Sequence, residues 1–390
     1  MKASSLLTFT GILCGVLLAF VIATCHGPSS TPSRRSTNPP LLPEADGAIT
    51  EIVMHFTPSF RDVVWTTYTD FWSAIDGEVR LNLIVADDVS EAERARVLGD
   101  IGALNPKLAD HTRWISTPGP ITTWSKDRAL VSEPSATGPA LLWVPEAPGR
   151  SWPQRYNDWQ TIGALTRASS GRFERRTAPF DFDAGDFAVT GRHVVVGVNL
   201  LTKNERRDIP NTDELRRRLS AWLDRPVLVL GEAADDVPDH HLAMTWTPLD
   251  GSVVLVGDPR LAQAIVGSGF DPGARSPETG RPLVADFSTE TLSRFERVAE
   301  DLRRAKYTVV RIPNIPLDPK TYITYTNAIF ETRGNQRIVY LPQYGILPLD
   351  AAAARIYESL GWTVLPIRVH RVYPYHGTIG CLVNVVGRRR

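Results

Sequence analysis

Cysteine is nearly missing from this sequence: Cys14, Cys25 and Cys381 are the only three in 390 residues. The first two fall in an apolar N-terminal segment, so the rest of the chain holds one thiol and cannot close an internal disulfide. No CxxC or HExxH pattern occurs. Eight histidines and one remaining cysteine, without such spacing, give no reason to expect a metal site. Nothing points to a cofactor. Net charge is missing as well. The 43 basic residues balance the 43 acidic ones, so there is no global reason to expect nucleic acid as a partner. The closing "GRRR" reads as a solvated end. What is present is ordinary for a folded protein: 43% hydrophobic and 22% charged residues exclude a disordered chain. The length allows two average domains or one large one.

The N-terminus stands apart. "MKASSLLTFTGILCGVLLAFVIATC" opens with Lys2 and runs apolar from Leu6 to Ala23, resembling a bacterial export signal over residues 1–25. "VIATC" is similar to a lipoprotein cleavage box ending at Cys25, although Thr24 departs from the usual small residue there. A plain signal anchor is the alternative, since the run is just long enough to span a bilayer. Either reading places the remainder outside the cytoplasm, at the cell envelope or beyond, touching a membrane only through this anchor. Residues 26–48, "HGPSSTPSRRSTNPPLLPEADG" and its neighbours, are rich in Pro, Ser and Thr and read as a disordered tether. From Ile49 to Arg390 the pattern is globular. A lone thiol in an exported protein risks oxidation, which favours a functional cysteine over a merely buried one.

Within residues 49–390 strand and helix signals alternate. "VRLNLIVADD" places Val79, Leu81, Leu83 and Val85 at every second position, as a half-buried strand does. Ser90 and Glu93 then stand at capping-box spacing. Short β-branched runs such as "HVVVGVNLL", "RPVLVLGEA", "SVVLVGDP" and "RIVYLPQYG" end in turn residues. Between them, Leu292, Phe295, Val298 and Leu302 make one helical stripe. Asp350 occupies an expected N-cap, with Gly361 as the stop. Repeated strand–helix–strand units predict an α/β fold.

Four polar spots stand out: Asp127 in "TTWSKDRALV"; Asp181, Asp183 and Asp186 in "FDFDAGDFAV"; His240 and His241 in "PDHHLAMTWTP"; and Cys381 in "YHGTIGCLVNVV". Each has a plain alternative. Asp127 between two bases fits a surface ion pair, and the aspartates around Gly185 fit a turn cap. Their order along the chain carries more. With "YTNAIF" and "YLPQYGILPLDAAAARI" added, six segments resemble those of the pentein, or guanidino-group-modifying, superfamily. The similarity is strongest to the agmatine deiminase and peptidyl-arginine deiminase-like enzymes, over nearly all of residues 49–386.

The resemblance implies a pseudo-fivefold α/β propeller of repeated strand–helix units around a central funnel. It implies an exported cysteine hydrolase that converts the guanidino group of an arginine-like small molecule, or of peptidyl-arginine, to a ureido group with release of ammonia. In that scheme Cys381 attacks, His241 moves protons and Asp183 orients the histidine or the substrate. Asp127, Asp186, Trp124 and Asn327 bind the substrate. The chemistry is coherent: a planar, charged guanidinium is matched by a carboxylate in fork geometry, and a nearby cation favours the reactive thiolate. One position departs from the pattern. The resemblance implies a second carboxylate two residues after the histidine, where this chain has Ala243. A non-catalytic relative that binds a ligand in the envelope is therefore the alternative reading.

Overall fold

A computed structural model describes residues 38–134, 138–146, 153–317 and 320–390, with the backbone alone at 153–155. The expected export signal and most of the expected tether lie outside these residues. Among those described, no helix is long and apolar enough to cross a membrane, and no cluster of His, Cys, Asp and Glu could hold a metal ion.

Among the described residues, seventeen strands form five small sheets built on one plan: an antiparallel pair followed by a parallel neighbour across a helix. The first sheet holds β1 (Ala48–His55), β2 (Arg80–Ala86) and β3 (Thr112–Thr117), which are parallel. The second holds β4 (Leu130–Val131), β5 (Ala140–Val144) and β6 (Phe173–Thr177). The third holds β7 (Phe187–Val189), β8 (Val194–Gly197) and β9 (Val227–Leu230). In the fourth, β10 (Trp246–Pro248), β11 (Val253–Asp258) and β12 (Thr308–Pro316) are extended by β13 (Tyr322–Thr324). The fifth holds β14 (Ile329–Arg333), β15 (Gln336–Gln343) and β16 (Thr363–Arg368). The last strand, β17 (Val383–Arg389), returns to pair antiparallel with β1, from Ala48 opposite Arg389 to Met54 opposite Val383. The chain's end thus supplies the antiparallel member of its first sheet. This is the expected pseudo-fivefold α/β propeller.

The main crossover helices of the five units are Arg61–Ala74, Pro153–Ala168, Thr212–Leu223, Thr289–Arg304 and Leu347–Ser359, joined by the shorter Leu200–Lys203 and Pro259–Val266 in the third and fourth, and Glu91–Leu104 leads from β2 to β3. Local signals explain their starts. The side chains of Ser90, Asn211 and Ser288 accept backbone N–H groups of Glu93, Glu214 and Thr291, satisfying donors that a helix start leaves open. The stripe on Thr289–Arg304 buries Phe295, Val298 and Leu302. Asp350 is not the N-cap: the helix begins at Leu347 after Ile346. Asp350 instead reaches back to accept the N–H groups of Tyr344 (3.0 Å) and Gly345 (2.9 Å) and the hydroxyl of Tyr325 (2.7 Å). The alternation in β2 is likewise overridden. Leu81 to Ala86 are all buried, because β2 lies between two parallel neighbours and is covered on both faces. Its inward polar residue, Asn82, is matched by the carboxylate of Glu51 at 2.9 Å.

The tether is shorter than its composition suggested. Residues 38–47 pack on the body: Leu41 is buried and bridges to Ser132, Leu42 N–H donates to Val131 (2.7 Å), and Glu44 pairs with Lys126. Two adjacent leucines carry this contact, and the prolines around them hold the strap extended. Replacing Leu41 with Ser (Leu41→Ser) is expected to lower stability by about 2 kcal/mol or more in urea denaturation. An unchanged midpoint would return the strap to the tether.

Candidate active site

The five units each present one polar side chain from the same place, the short turn just ahead of the unit's antiparallel strand. Asp127 lies on the turn Lys126–Arg128 before β4, and Asp183 opens the turn Ala184–Asp186 before β7. His241 opens the turn Leu242–Met244 before β10. Asn327 lies just before β14, and Cys381 sits in the turn Ile379–Leu382 before β17. Residues far apart in sequence converge because the repeat places these turns at one end of the ring.

Cys381 is 4% exposed, His241 7%, Asp127 3% and Asn327 2%, so the centre is enclosed. His241 Nε2 stands 3.7 Å from Asp127 Oδ1, and Cys381 is among the groups that raise its pKa. Burial by itself would lower the pKa of the imidazole. The Asp127 carboxylate, Cys381 and then Asp183 outweigh it and raise the pKa to about 9. His241 is therefore an imidazolium at neutral pH, a proton donor beside the Cys381 sulfur. His240 is the opposite case. Burial and the His241 charge push it down to about 3, so it is neutral and its Nε2–H donates to the His376 carbonyl at 2.7 Å. Its ring stacks on His241 with centroids 4.5 Å apart. Its φ of 119° is a strained backbone for a residue with a side chain.

The turns are pinned from behind. Asn314 Nδ2 donates to the Met244 carbonyl (2.9 Å), and the Thr326 hydroxyl donates to the Ala243 carbonyl (2.7 Å). The Ser125 hydroxyl donates to the Leu382 carbonyl (2.7 Å), tying the Asp127 turn to the Cys381 turn. Gly185 lies flat against the His241 ring, where any Cβ would overlap it. That close approach explains a glycine between two acidic turn residues.

The structure brings together Cys381, His241 and Asp127, with Asp183 in their field. Asp183 Oδ1 accepts from Arg128 Nη2 at 3.0 Å, and its Oδ2 accepts from Lys203 Nζ at 3.1 Å. Asp186 has a different place from the substrate-binding one expected. Its carboxylate accepts the Asp183 N–H (2.8 Å) and two contacts from Lys203 (2.8 and 2.7 Å), capping the turn. Burial raises its pKa against the pull of Lys203. Asp181 points away and pairs with Arg207. Trp124 packs on the small cluster of Met244, Phe295, Tyr322 and Cys381, with its ring over Gly377.

Arg128, Lys203 and Met244 were not singled out in the sequence. Arg128 is only 5% exposed and bridges Asp127 (3.2 Å) and Asp183 (3.0 Å). A base next to an acid reads as a surface pair, and only tertiary burial distinguishes it. Lys203, in a stretch of basic and polar residues, had no local signal at all.

The raised pKa of His241 carries a sign. Its stabilising contribution is complete below about pH 6.5 and is lost as pH rises through about 9. Asp127→Asn removes the largest opposing charge and is expected to bring the His241 titration below the ordinary imidazole value. NMR titration of the ring reads this directly, and an unshifted midpoint would remove Asp127 from the pair.

No protein-family model matches the sequence, and no curated protein does either. Solved structures do. Agmatine deiminase of C. jejuni superposes with a TM-score of 0.63 at 14% identity, covering 90% of this chain and 97% of that one. Agmatine deiminase of Enterococcus faecalis gives 0.62 at 15% identity, covering 93% and 99%. At such identities the likeness is one of fold, and this chain shares the α/β architecture of both.

Proposed function

We propose that this chain, built on the fold of the agmatine deiminases, is a cysteine hydrolase that cleaves a guanidino C–N bond. The observation that carries the reading is the enclosed triad of Cys381, His241 and Asp127, with His241 Nε2 3.7 Å from the Asp127 carboxylate. The Cys381 thiolate adds to the guanidino carbon, forming the C–S bond. His241 gives its proton to the departing nitrogen, which leaves as ammonia, and an S-alkylthiouronium remains on Cys381. The now neutral His241 takes a proton from water, whose oxygen adds to the same carbon. The C–S bond breaks as the remaining hydroxyl proton passes to solvent, the thiolate is restored and a neutral ureido product leaves.

Enclosure supports a small free molecule over peptidyl-arginine. The His240–His376 contact, the hydrogen bond between Thr321 Oγ1 and His376 Nδ1 (2.7 Å), and that from Tyr322 OH to the Asp239 carbonyl (2.9 Å) close over the centre. A polypeptide would have to displace all three. Ala243 leaves Asp127 as the carboxylate for the guanidinium, and Arg128 already occupies one edge of it. That observation favours a second reading, a ligand-binding relative without turnover. The apolar leader, similar to an export signal, supports a location outside the cytoplasm for either activity.

Incubation with agmatine, arginine, dimethylarginine and an arginyl peptide, assayed for ureido product and ammonia, separates the two readings. Turnover that is lost in Cys381→Ser is expected. No product from any substrate, with ligand binding unchanged in Cys381→Ser, would leave the binding reading. Restoring a carboxylate by Ala243→Asp is expected to raise kcat/KM on unmodified guanidines by about tenfold or more, the scale of one charge-assisted hydrogen bond. A fall would mean a pocket shaped for another substituent.

A further inference from the structure

The resemblance assigns Asn327 to the substrate, but the structure gives its hydrogen-bonding groups another use. Asn327 is 2% exposed, and its Nδ2 lies 2.9 Å from Met244 Sδ and 3.0 Å from Cys381 Sγ. A thioether has no hydrogen to give, so the edge of the amide that meets Met244 is its NH2 edge. Both amide hydrogens are thereby directed at sulfur. The opposite edge lies against the backbone of Gly380, where a Cβ would overlap Oδ1. Gly380 is thus the residue that admits the amide. The Asn327 carbonyl accepts the Thr378 hydroxyl at 2.7 Å, and the Thr378 carbonyl accepts the Cys381 N–H at 3.0 Å. Asn327 is therefore fixed twice to the turn that carries the cysteine. Through Met244 it is also fixed to the turn that carries His241.

We propose that Asn327 is a positioning residue for the nucleophile: its amide aims the Cys381 sulfur and stabilises the thiolate, while Met244 shares the amide and holds its orientation. The inference rests on the reading of Cys381 as the nucleophile. A donor to sulfur stabilises the charged form more than the neutral one. Met244 is a weak acceptor that competes for the same group. Replacing one or the other therefore moves thiolate reactivity in opposite directions, which a purely structural contact would not do.

The test is the pH–rate profile of Cys381 alkylation by iodoacetamide, measured on the full chain without substrate. Asn327→Leu, similar in size but without a donor, is expected to slow alkylation at pH 7 roughly tenfold and move the profile to higher pH. Asn327→Asp, which sets a carboxylate beside the sulfur, is expected to move it further. Met244→Leu, a volume-conserving swap, gives the whole amide to Cys381 and is expected to speed alkylation at pH 7. Wild-type profiles in folded Asn327→Leu and Asn327→Asp would overturn the proposal. If neither folds, Met244→Leu decides: faster alkylation supports the role, and an unchanged or slower rate overturns it. Agmatine turnover measured in parallel separates the two readings. Shifted profiles with no turnover in the wild type would sink the deiminase reading alone.

Discussion

The pairing of β17 with β1 is the constraint on which the rest depends. Five units of antiparallel pair, crossover helix and parallel strand would otherwise leave the first sheet without its antiparallel member. The C-terminal strand supplies it, and the turn just before that strand carries Cys381. Closing the ring therefore also delivers the sulfur to the other four turns. The pairing is buried where it starts, at Val383 opposite Met54 and Asn384 opposite Val53, so the turn that carries Cys381 is anchored by main-chain hydrogen bonds at its strand end.

Around that sulfur the charges are shared rather than isolated. Asp127 serves both His241 and Arg128, while Asp183 serves Arg128 and Lys203. Burying an ionised group is expensive unless opposite charges and hydrogen bonds surround it. Here each carboxylate has a cation on either side. The same sharing explains why two adjacent histidines differ so widely. His241 faces a carboxylate and a sulfur and holds its proton. His240 faces a carbonyl and the His241 charge and does not. One aspartate on one side of a stacked pair separates an acid from a neutral plate.

Ala243 reads differently once placed. It sits on a turn whose carbonyls are held by Asn314 and Thr326, and the next residue, Met244, joins Asn327 in holding the cysteine. The turn after His241 is thus engaged with Cys381 through Asn327 even where it offers no carboxylate.

Much of this was legible in the chain itself. Strand and helix alternation, the cap at Ser90, and the order of the aspartate, histidine and cysteine segments follow from local patterns that survive folding. Local pattern failed where tertiary contact outweighed it. β2 alternates yet is buried on both faces, Asp350 caps from within the first turn, and Leu41 and Leu42 dock a strap inside a Pro-rich segment. The sequence by itself determined the fold class and which residues could do chemistry, because hydrophobic periodicity and residue type are properties of the chain. Only the tertiary structure decided their roles. It made Asp186 a cap, turned Arg128 inward, protonated His241 and turned Asn327 toward sulfur. Each of these depends on burial and on a partner brought from a different unit.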